Sequence, residues 1–151
     1  MHFSSILAGL ALAATTLAAP SIVVHNNCDF SIFVTSVGAT VGNTTEIRPD
    51  TLWTEEEYFQ GIGTAIKITK TSNGLWTAKP ALQLSYTYAK GQDIYYDLST
   101  AYGFDFWGQN ITVRGDKGKD VPSIDWNGAP QPNHTLVYSG ETGLTLEVCA
   151  A

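Results

Sequence analysis

The feature that most constrains this chain is a period of two in its apolar residues. Ala81 to Tyr88 shows it most cleanly: Leu82, Leu84, Tyr86 and Tyr88 fall on one side, Gln83, Ser85 and Thr87 on the other. Successive side chains of a strand point to opposite faces, so this pattern builds a sheet with one face in a core and one in water. Ser21 to His25 is a short β-branched run, and Ser31 to Val37 sets Ile32 and Val34 against Phe33, Thr35 and Val37. Thr64 to Lys70 sets Ile66 and Ile68 against Ala65, Lys67 and Thr69. Ile94, Tyr96 and Leu98 oppose Asp93, Tyr95, Asp97 and Ser99. Thr135 to Ser139 and Gly143 to Cys149 complete the set, the last with Leu144, Leu146 and Val148 inward. Turn-forming residues fill the intervals: Pro49-Asp50, Ser72-Asn73-Gly74, Lys90-Gly91, Asp125 to Gly128 and Ser139-Gly140. No amphipathic helical stretch interrupts them. The pattern predicts an all-β fold, an antiparallel sandwich or barrel. With no internal repeat or linker, a single domain is expected over residues 19–151, with Gly115 to Asp120 as an exposed loop.

The first residues read differently. Met1 to Ala19 contain no acid, Lys or Arg, and Ile6 to Leu17 form an apolar and small-residue run. Small residues at Thr16 and Ala18 flank a cleavage point, which predicts a signal peptide over residues 1–18. Cleavage after Ala18 is preferred, because Pro20 would follow a cut after Ala19 directly. The competing reading is an N-terminal anchor, for which the apolar run is too short to span a bilayer comfortably. No later segment approaches membrane length, and Thr145 to Cys149 is too short and polar for a glycolipid-anchor signal. The expectation is a secreted protein, extracellular or held in a cell wall.

Export gives meaning to two other features. The chain has two cysteines, and in an oxidising compartment Cys28 and Cys149 are expected to form one bridge, the alternative being two free thiols. Asn43, Asn110 and Asn133 each begin an N-x-Thr sequon and are expected glycosylation sites, with Asn43 and Asn133 in the more polar stretches.

Composition excludes several function classes. Fourteen acids against 8 bases give a net charge of −6, with no basic cluster to neutralise phosphates, so no nucleic acid is expected as partner. Two cysteines and three histidines without ligand spacing predict no metal and no other cofactor. There is no nucleophile elbow for serine catalysis. His134 lies inside a sequon and His25 beside a strand, where a structural role is the expectation. Glu55-Glu56-Glu57, the densest charge run, reads as a solvated strand edge or loop that resists edge pairing. Asp93 and Asp97 share a strand face but lie about 13 Å apart if extended. Glycosidase carboxylates stand about 5–5.5 Å or about 6.5–9.5 Å apart, so that pair fails. Asp97 and Asp105 meet only if the Tyr102-Gly103 turn folds back. Around them Tyr95, Tyr102, Phe104, Phe106 and Trp107 suit either stacking on sugar rings or a core.

The segment Ile22 to Val34, with Asn26-Asn27-Cys28 between two strands, resembles the opening of thaumatin-like proteins. Tyr96-Asp97-Leu98-Ser99 followed by Gly103-Phe104-Asp105 is similar to a segment of that family, and Leu144 to Cys149 resembles its terminal strand. Tyr96-Asp97-Leu98-Ser99 and Asp125-Trp126-Asn127-Gly128 bring the chain nearest to the small fungal secreted proteins named for a Blastomyces yeast-phase-specific antigen. The resemblance implies a thaumatin-like β-sandwich trimmed to its core, without the cysteine-rich inserted domain of the plant proteins. Of the family's acidic cleft, the resemblance matches Asp97 to one aspartate; the next falls at Tyr102, the glutamate falls near Ser85, and the resemblance places neither the arginine nor the last aspartate. The expected function is therefore non-catalytic: a cell-wall-associated or host-interacting protein of antigen or effector type. The alternative is a glycan-active protein, a β-glucan-binding lectin or weak β-1,3-glucanase. Asp97, Tyr102, Phe104 and Asp105 are its expected glycan-binding residues, and cell-wall β-glucan or a host surface protein the expected partner.

Overall fold

The alternating runs become strands. The computed structural model describes residues 19–132 and 134–151, so the leader expected over 1–18 and the sequon residue Asn133 lie outside the described residues. The strands are β1 (Ser21–Asn26), β2 (Ile32–Val37), β3 (Thr45–Ile47), β4 (Thr51–Glu56), β5 (Thr64–Thr69) and β6 (Ala81–Tyr88). They continue with β7 (Ile94–Tyr102), β8 (Asn110–Gly115), β9 (Ile124–Asn127), β10 (Leu136–Tyr138) and β11 (Leu144–Val148). One 3-10 turn, Gly74–Thr77, separates β5 from β6.

Five strands form one sheet in the order β4-β1-β11-β8-β9, and six form the other in the order β10-β7-β6-β5-β2-β3. The inward residues are those the alternation selects. Ile22, Val24, Leu144 and Leu146 from the first sheet meet Ile66, Ile68, Leu82 and Leu84 from the second, all with 0% exposure. Each such side chain contributes about 1.5–3 kcal/mol on leaving water, so this layer holds the sheets together.

One pairing departs from the expected antiparallel arrangement. β1 and β11 run parallel, from Ile22 opposite Leu144 to Asn26 opposite Val148. Parallel neighbours need a long crossover, and here the whole body of the chain serves as it. Cys28 and Cys149 each lie just past one of these two strands, so the parallel pairing brings them to the same end. They are bridged, with Cα atoms 5.0 Å apart across a sequence separation of 121. Next to the bridge, fully buried Asn26 donates to the carbonyls of Phe30 and Ile47, both at 2.8 Å, and accepts from the Cys28 N–H at 3.0 Å. Its amide thus ties the end of β1 to the beginning of the other sheet.

Three local expectations change. Asp125 to Gly128 is not a turn: Ile124–Asn127 is β9, an edge strand on β8, and only Gly128 takes a left-handed φ of 76°. Trp126, 2% exposed, anchors it from the inner side, and an edge strand needs a ladder on one side only, which tolerates Asp and Asn. Glu55-Glu56-Glu57 does begin on an edge strand, β4, but it is not a solvated run. Glu55 lies opposite Ile22 and accepts from the Ser36 hydroxyl of the other sheet at 2.7 Å, and Glu57 is buried. Thr35 and Thr69, on the outward phase, are also buried. Thr44 hydrogen-bonds Thr35 at 2.8 Å. Gly74 packs so closely on Thr69 that an added Cβ would stand 2.7 Å from the threonine Cβ.

Candidate functional site

The outward residues of the six-stranded sheet form rows across the strands. Asp97 on β7 lies opposite Ser85 on β6, which lies opposite Ala65 on β5 and then Val37 on β2. The next row runs Ser99, Gln83, Lys67 and Thr35. A register shift between Ala81 and Gln83 then brings Tyr102 opposite Ala81, on the same face. Small side chains on the central strands, between Tyr95 and Asp97 on β7, leave a hollow of about 310 Å³. Its floor includes Gly63, Ala65 and Ser85. A Cβ on Gly63 would stand 2.8 Å from the Thr87 hydroxyl, so glycine keeps that wall close.

The polar groups on this face are partly occupied and partly open. Gln83 donates from Nε2 to the Ser85 hydroxyl at 2.7 Å, while its Oε1 is buried with no partner among the described residues. Burial pushes the Asp97 carboxyl above the usual aspartate value, with the Ser85 hydroxyl acting in the opposite sense. The Lys67 ammonium stands 3.5 Å over the centre of the Tyr102 ring, a cation–π contact that fixes the ring on the surface. Tyr95 and Tyr102 remain 48% and 58% exposed, enough area for a flat ligand to stack on.

Phe104 and Asp105 go elsewhere. Gly103, at φ 88°, turns the chain sharply after β7, and its N–H donates to the Thr100 carbonyl at 2.8 Å. Beyond the turn Phe104 packs edge-on against Trp107 and Trp126, with centroids 5.3 and 5.8 Å away, and Phe106 is fully buried. The Phe104 ring is thus largely committed to packing. The Asp105 carbonyl accepts from Lys70, and the Asp105 Oδ1 is buried without a partner among the described residues. Burial raises the Asp105 carboxyl, and Lys70 partly offsets this. The four expected glycan-binding residues therefore divide. Asp97 and Tyr102 share the sheet face; Phe104 and Asp105 belong to the aromatic loop beyond it.

Two participants were not singled out from sequence, Lys67 and Gln83. Both are outward residues of recognised strands, yet their place beside Tyr102 and Asp97 depends on a register that only pairing fixes. The remaining candidates fall apart. His25 Nδ1 stands 3.9 Å from Glu147 Oε1 on the other sheet's outer face, and His134 lies near the Pro132 carbonyl. Among the described residues no group of three His, Cys, Asp or Glu is placed to hold a metal ion. No helix among them is long and apolar enough to cross a membrane. Asn43 is exposed outside any strand, and Asn110 is half-buried at the start of β8.

The model of the family described as Bys1, Blastomyces yeast-phase-specific protein, matches residues 9–150. No curated protein matches the sequence. Among solved structures, the chain is similar to the protein elicitor MoHrip2 from Magnaporthe oryzae, with 20% identity and a TM-score of 0.72 over 87% of this chain and 100% of that one. It is also similar to the thaumatin-like xylanase inhibitor TLXI, with 15% identity and a TM-score of 0.61 over 87% and 100%. At those identities the likeness shows the fold, which is thaumatin-like. The Cys28–Cys149 disulfide fits an extracellular protein.

Proposed function

This chain belongs to the Blastomyces yeast-phase-specific protein family, and on that premise we propose that it is an exported, non-catalytic recognition protein acting at a fungal wall or a host surface. One observation carries the reading: Asp97 stands alone. Its cross-strand neighbour is Ser85, the adjacent row holds Gln83 and Lys67, and the aromatics on its strand face are Tyr95 and, beyond the register shift, Tyr102. Glycoside hydrolysis needs a second carboxyl group across the bond, about 5–9.5 Å from the first. Neither a serine hydroxyl nor a tyrosine held under an ammonium takes that role. What the face offers is stacking area and one carboxylate beside a shallow hollow, which is the equipment of binding. Two proteins of similar fold bear the names elicitor and inhibitor, and neither name is that of an enzyme.

A β-glucan surface is the second reading, favoured by the exposed Tyr95 beside Asp97 and the exposed Tyr102 farther along the same face. The test is retention of the secreted protein on insoluble β-glucan, with reducing ends measured in the supernatant. Retention without release supports a glucan-binding protein, and absence of both supports a protein partner. Release of reducing ends overturns the non-catalytic reading. A glycan on Asn43 is part of the same proposal, and endoglycosidase treatment of the secreted protein should lower its mass.

A further inference from the structure

Glu57, just past β4, is a buried carboxylate with nothing to hold it. It is 5% exposed, and neither Oε1 nor Oε2 has a hydrogen-bond partner among the described residues. The basic and donor groups nearby are committed elsewhere. Lys119 binds Asp116 at 2.9 Å and the Glu141 carbonyl at 2.6 Å. The Tyr88 hydroxyl and the Gly91 N–H both donate to Glu141, at 2.9 and 2.7 Å. Lys90 is exposed and forms no ion pair among the described residues. Leaving a buried carboxyl group unsatisfied is costly, and native structures rarely do so without a reason.

The cavity beside it points to that reason. A space of about 370 Å³ is lined by Glu56, Glu57, Tyr88, Lys90 and Glu141, and by Ala19 and Pro20. The Glu57 N–H donates to the Pro20 carbonyl at 2.9 Å, so the residue next to Ala19 is pinned against Glu57. Ala19 is the residue that cleavage of the expected leader exposes. In the uncut chain its nitrogen is an amide and carries no charge. We propose that leader removal supplies the missing partner: the new Ala19 α-ammonium pairs with the Glu57 carboxylate in this cavity and fastens the mature terminus. Cleavage by a leader peptidase adds water across the Ala18–Ala19 amide. The leader keeps the hydroxyl as its carboxyl group, and the freed nitrogen takes a proton.

The inference rests on the export reading but adds a site to it. It also has a pH signature. Without a partner, burial pushes the Glu57 carboxyl up to about 8 from 4.5, with Asp116 and Glu141 raising it further and Lys119 opposing. The folded state then holds the extra proton, so stability falls as pH rises from 4.5 towards 8. An ammonium at Ala19 removes that fall, because the ionised carboxylate becomes the paired form. An α-amine titrates near pH 7.7–8.0 and lysine near 10.4, so mild acetylation near pH 6.5 blocks the terminus selectively.

The experiment uses the protein secreted from a eukaryotic host. Intact mass and terminal sequencing come first; a terminus at any residue other than Ala19 overturns the inference, and retention of residues 1–18 overturns the leader reading with it. Melting temperature is then followed from pH 4 to 9 with the terminus free and acetylated, in wild type and in Glu57→Gln. The free terminus should melt about 4 °C or more above the acetylated one at pH 7. The gap should close at pH 4, and it should be absent in Glu57→Gln. No gap at pH 7 in wild type, or an equal gap in Glu57→Gln, overturns the pairing even when secretion and cleavage occur as expected. The wild-type pH profile decides by itself should the variant not fold.

Discussion

The outer faces of the two sheets arise from the same alternation, yet they are finished differently. On the five-stranded sheet a row runs Leu52, His25, Glu147, Thr112 and Asp125 across neighbouring strands. Its charges answer one another: His25 faces Glu147, Thr112 donates to Glu147 at 3.3 Å, and Arg114 pairs with Asp125. On the six-stranded sheet Asp97 has no cationic partner among the described residues, and the Lys67 ammonium on that face is spent on the Tyr102 ring. The first face is closed chemistry. The second leaves Asp97 and the exposed Tyr95 ring at a hollow, with the exposed Tyr102 ring farther along the same face. Polar residues on a strand exterior thus do not by themselves indicate solvation. What separates the faces is whether neighbouring strands supply partners.

The two sheets also differ in how they are fastened, and the largest expected effect follows from that. The disulfide joins the ends of β1 and β11, both in the five-stranded sheet. Closing so long a loop is worth about 5 kcal/mol in the chain-entropy account, so reduction should lower the melting temperature by about 10 °C or more. Below that lowered transition, retention on the partner should be unchanged, because the six-stranded face contains neither cysteine. Loss of retention in folded, reduced protein would show that the two faces are not independent.

Tyr102→Ala should come next in size. It removes the exposed ring and the cation–π contact, an interaction of about 0.5–1 kcal/mol at a surface, so stability changes little. Retention on the partner should fall about tenfold, as expected for an aromatic anchor worth about 1.4 kcal/mol. Arg114→Ala on the opposite face should do the reverse. Retention should be unaffected, and stability should fall by no more than about 1 kcal/mol, since the pair with Asp125 is solvent-exposed. Arg114 holds the Asp125 carboxyl below its usual value. The pair's contribution is therefore present above the ordinary aspartate range and disappears as pH falls through the lowered value. Acid titration of the variant should lack that step.

The sequence revealed the rows better than the columns. β6 and β7 were legible because every second residue is apolar and large, and the inward set Leu82, Leu84, Tyr86, Ile94, Tyr96 and Leu98 is buried. β9 was not, because Asp125, Asn127 and Gly128 are turn formers, and one buried Trp126 outweighs them on an edge. The Glu55 to Glu57 run misled for a related reason. Its residues alternate like any strand, so Glu55 is carried inward to Ser36, and the chain beyond β4 carries Glu57 into a cavity. On the candidate face, Asp97 and Tyr102 come from one strand, but strict alternation sets them on opposite sides, and only the register shift between Ala81 and Gln83 brings them to one face. Lys67 and Gln83 were not legible as their neighbours, since they meet that segment only through the register of β5 on β6 and β6 on β7. Phe104 packs on Trp126 beyond the Gly103 turn, and composition cannot tell a ring that stacks on a ligand from one that stacks on a neighbouring ring.

The smallest expected effect on stability is the most informative about chemistry. Asp97→Asn keeps the shape of the side chain and removes its charge. Burial raises the Asp97 carboxyl in the folded protein, so the folded state binds a proton more tightly than the unfolded chain. That contribution is fully present below the ordinary aspartate value of 3.8 and is lost as pH rises through the raised value. At neutral pH the wild type therefore carries an ionised group in a site that disfavours it, and the variant should melt at the same temperature or slightly higher. The difference between the two should vanish in acid. A carboxylate kept in such a place against a small stability cost is the kind of group a binding face retains. Retention of the partner should then fall while the melting temperature does not. If retention is unchanged, Asp97 is part of the scaffold and recognition belongs to Tyr95 and Tyr102. If wild type releases reducing ends from β-glucan and the variant does not, the face is catalytic, and a proton donor other than Ser85 or Tyr102 has to be sought on it.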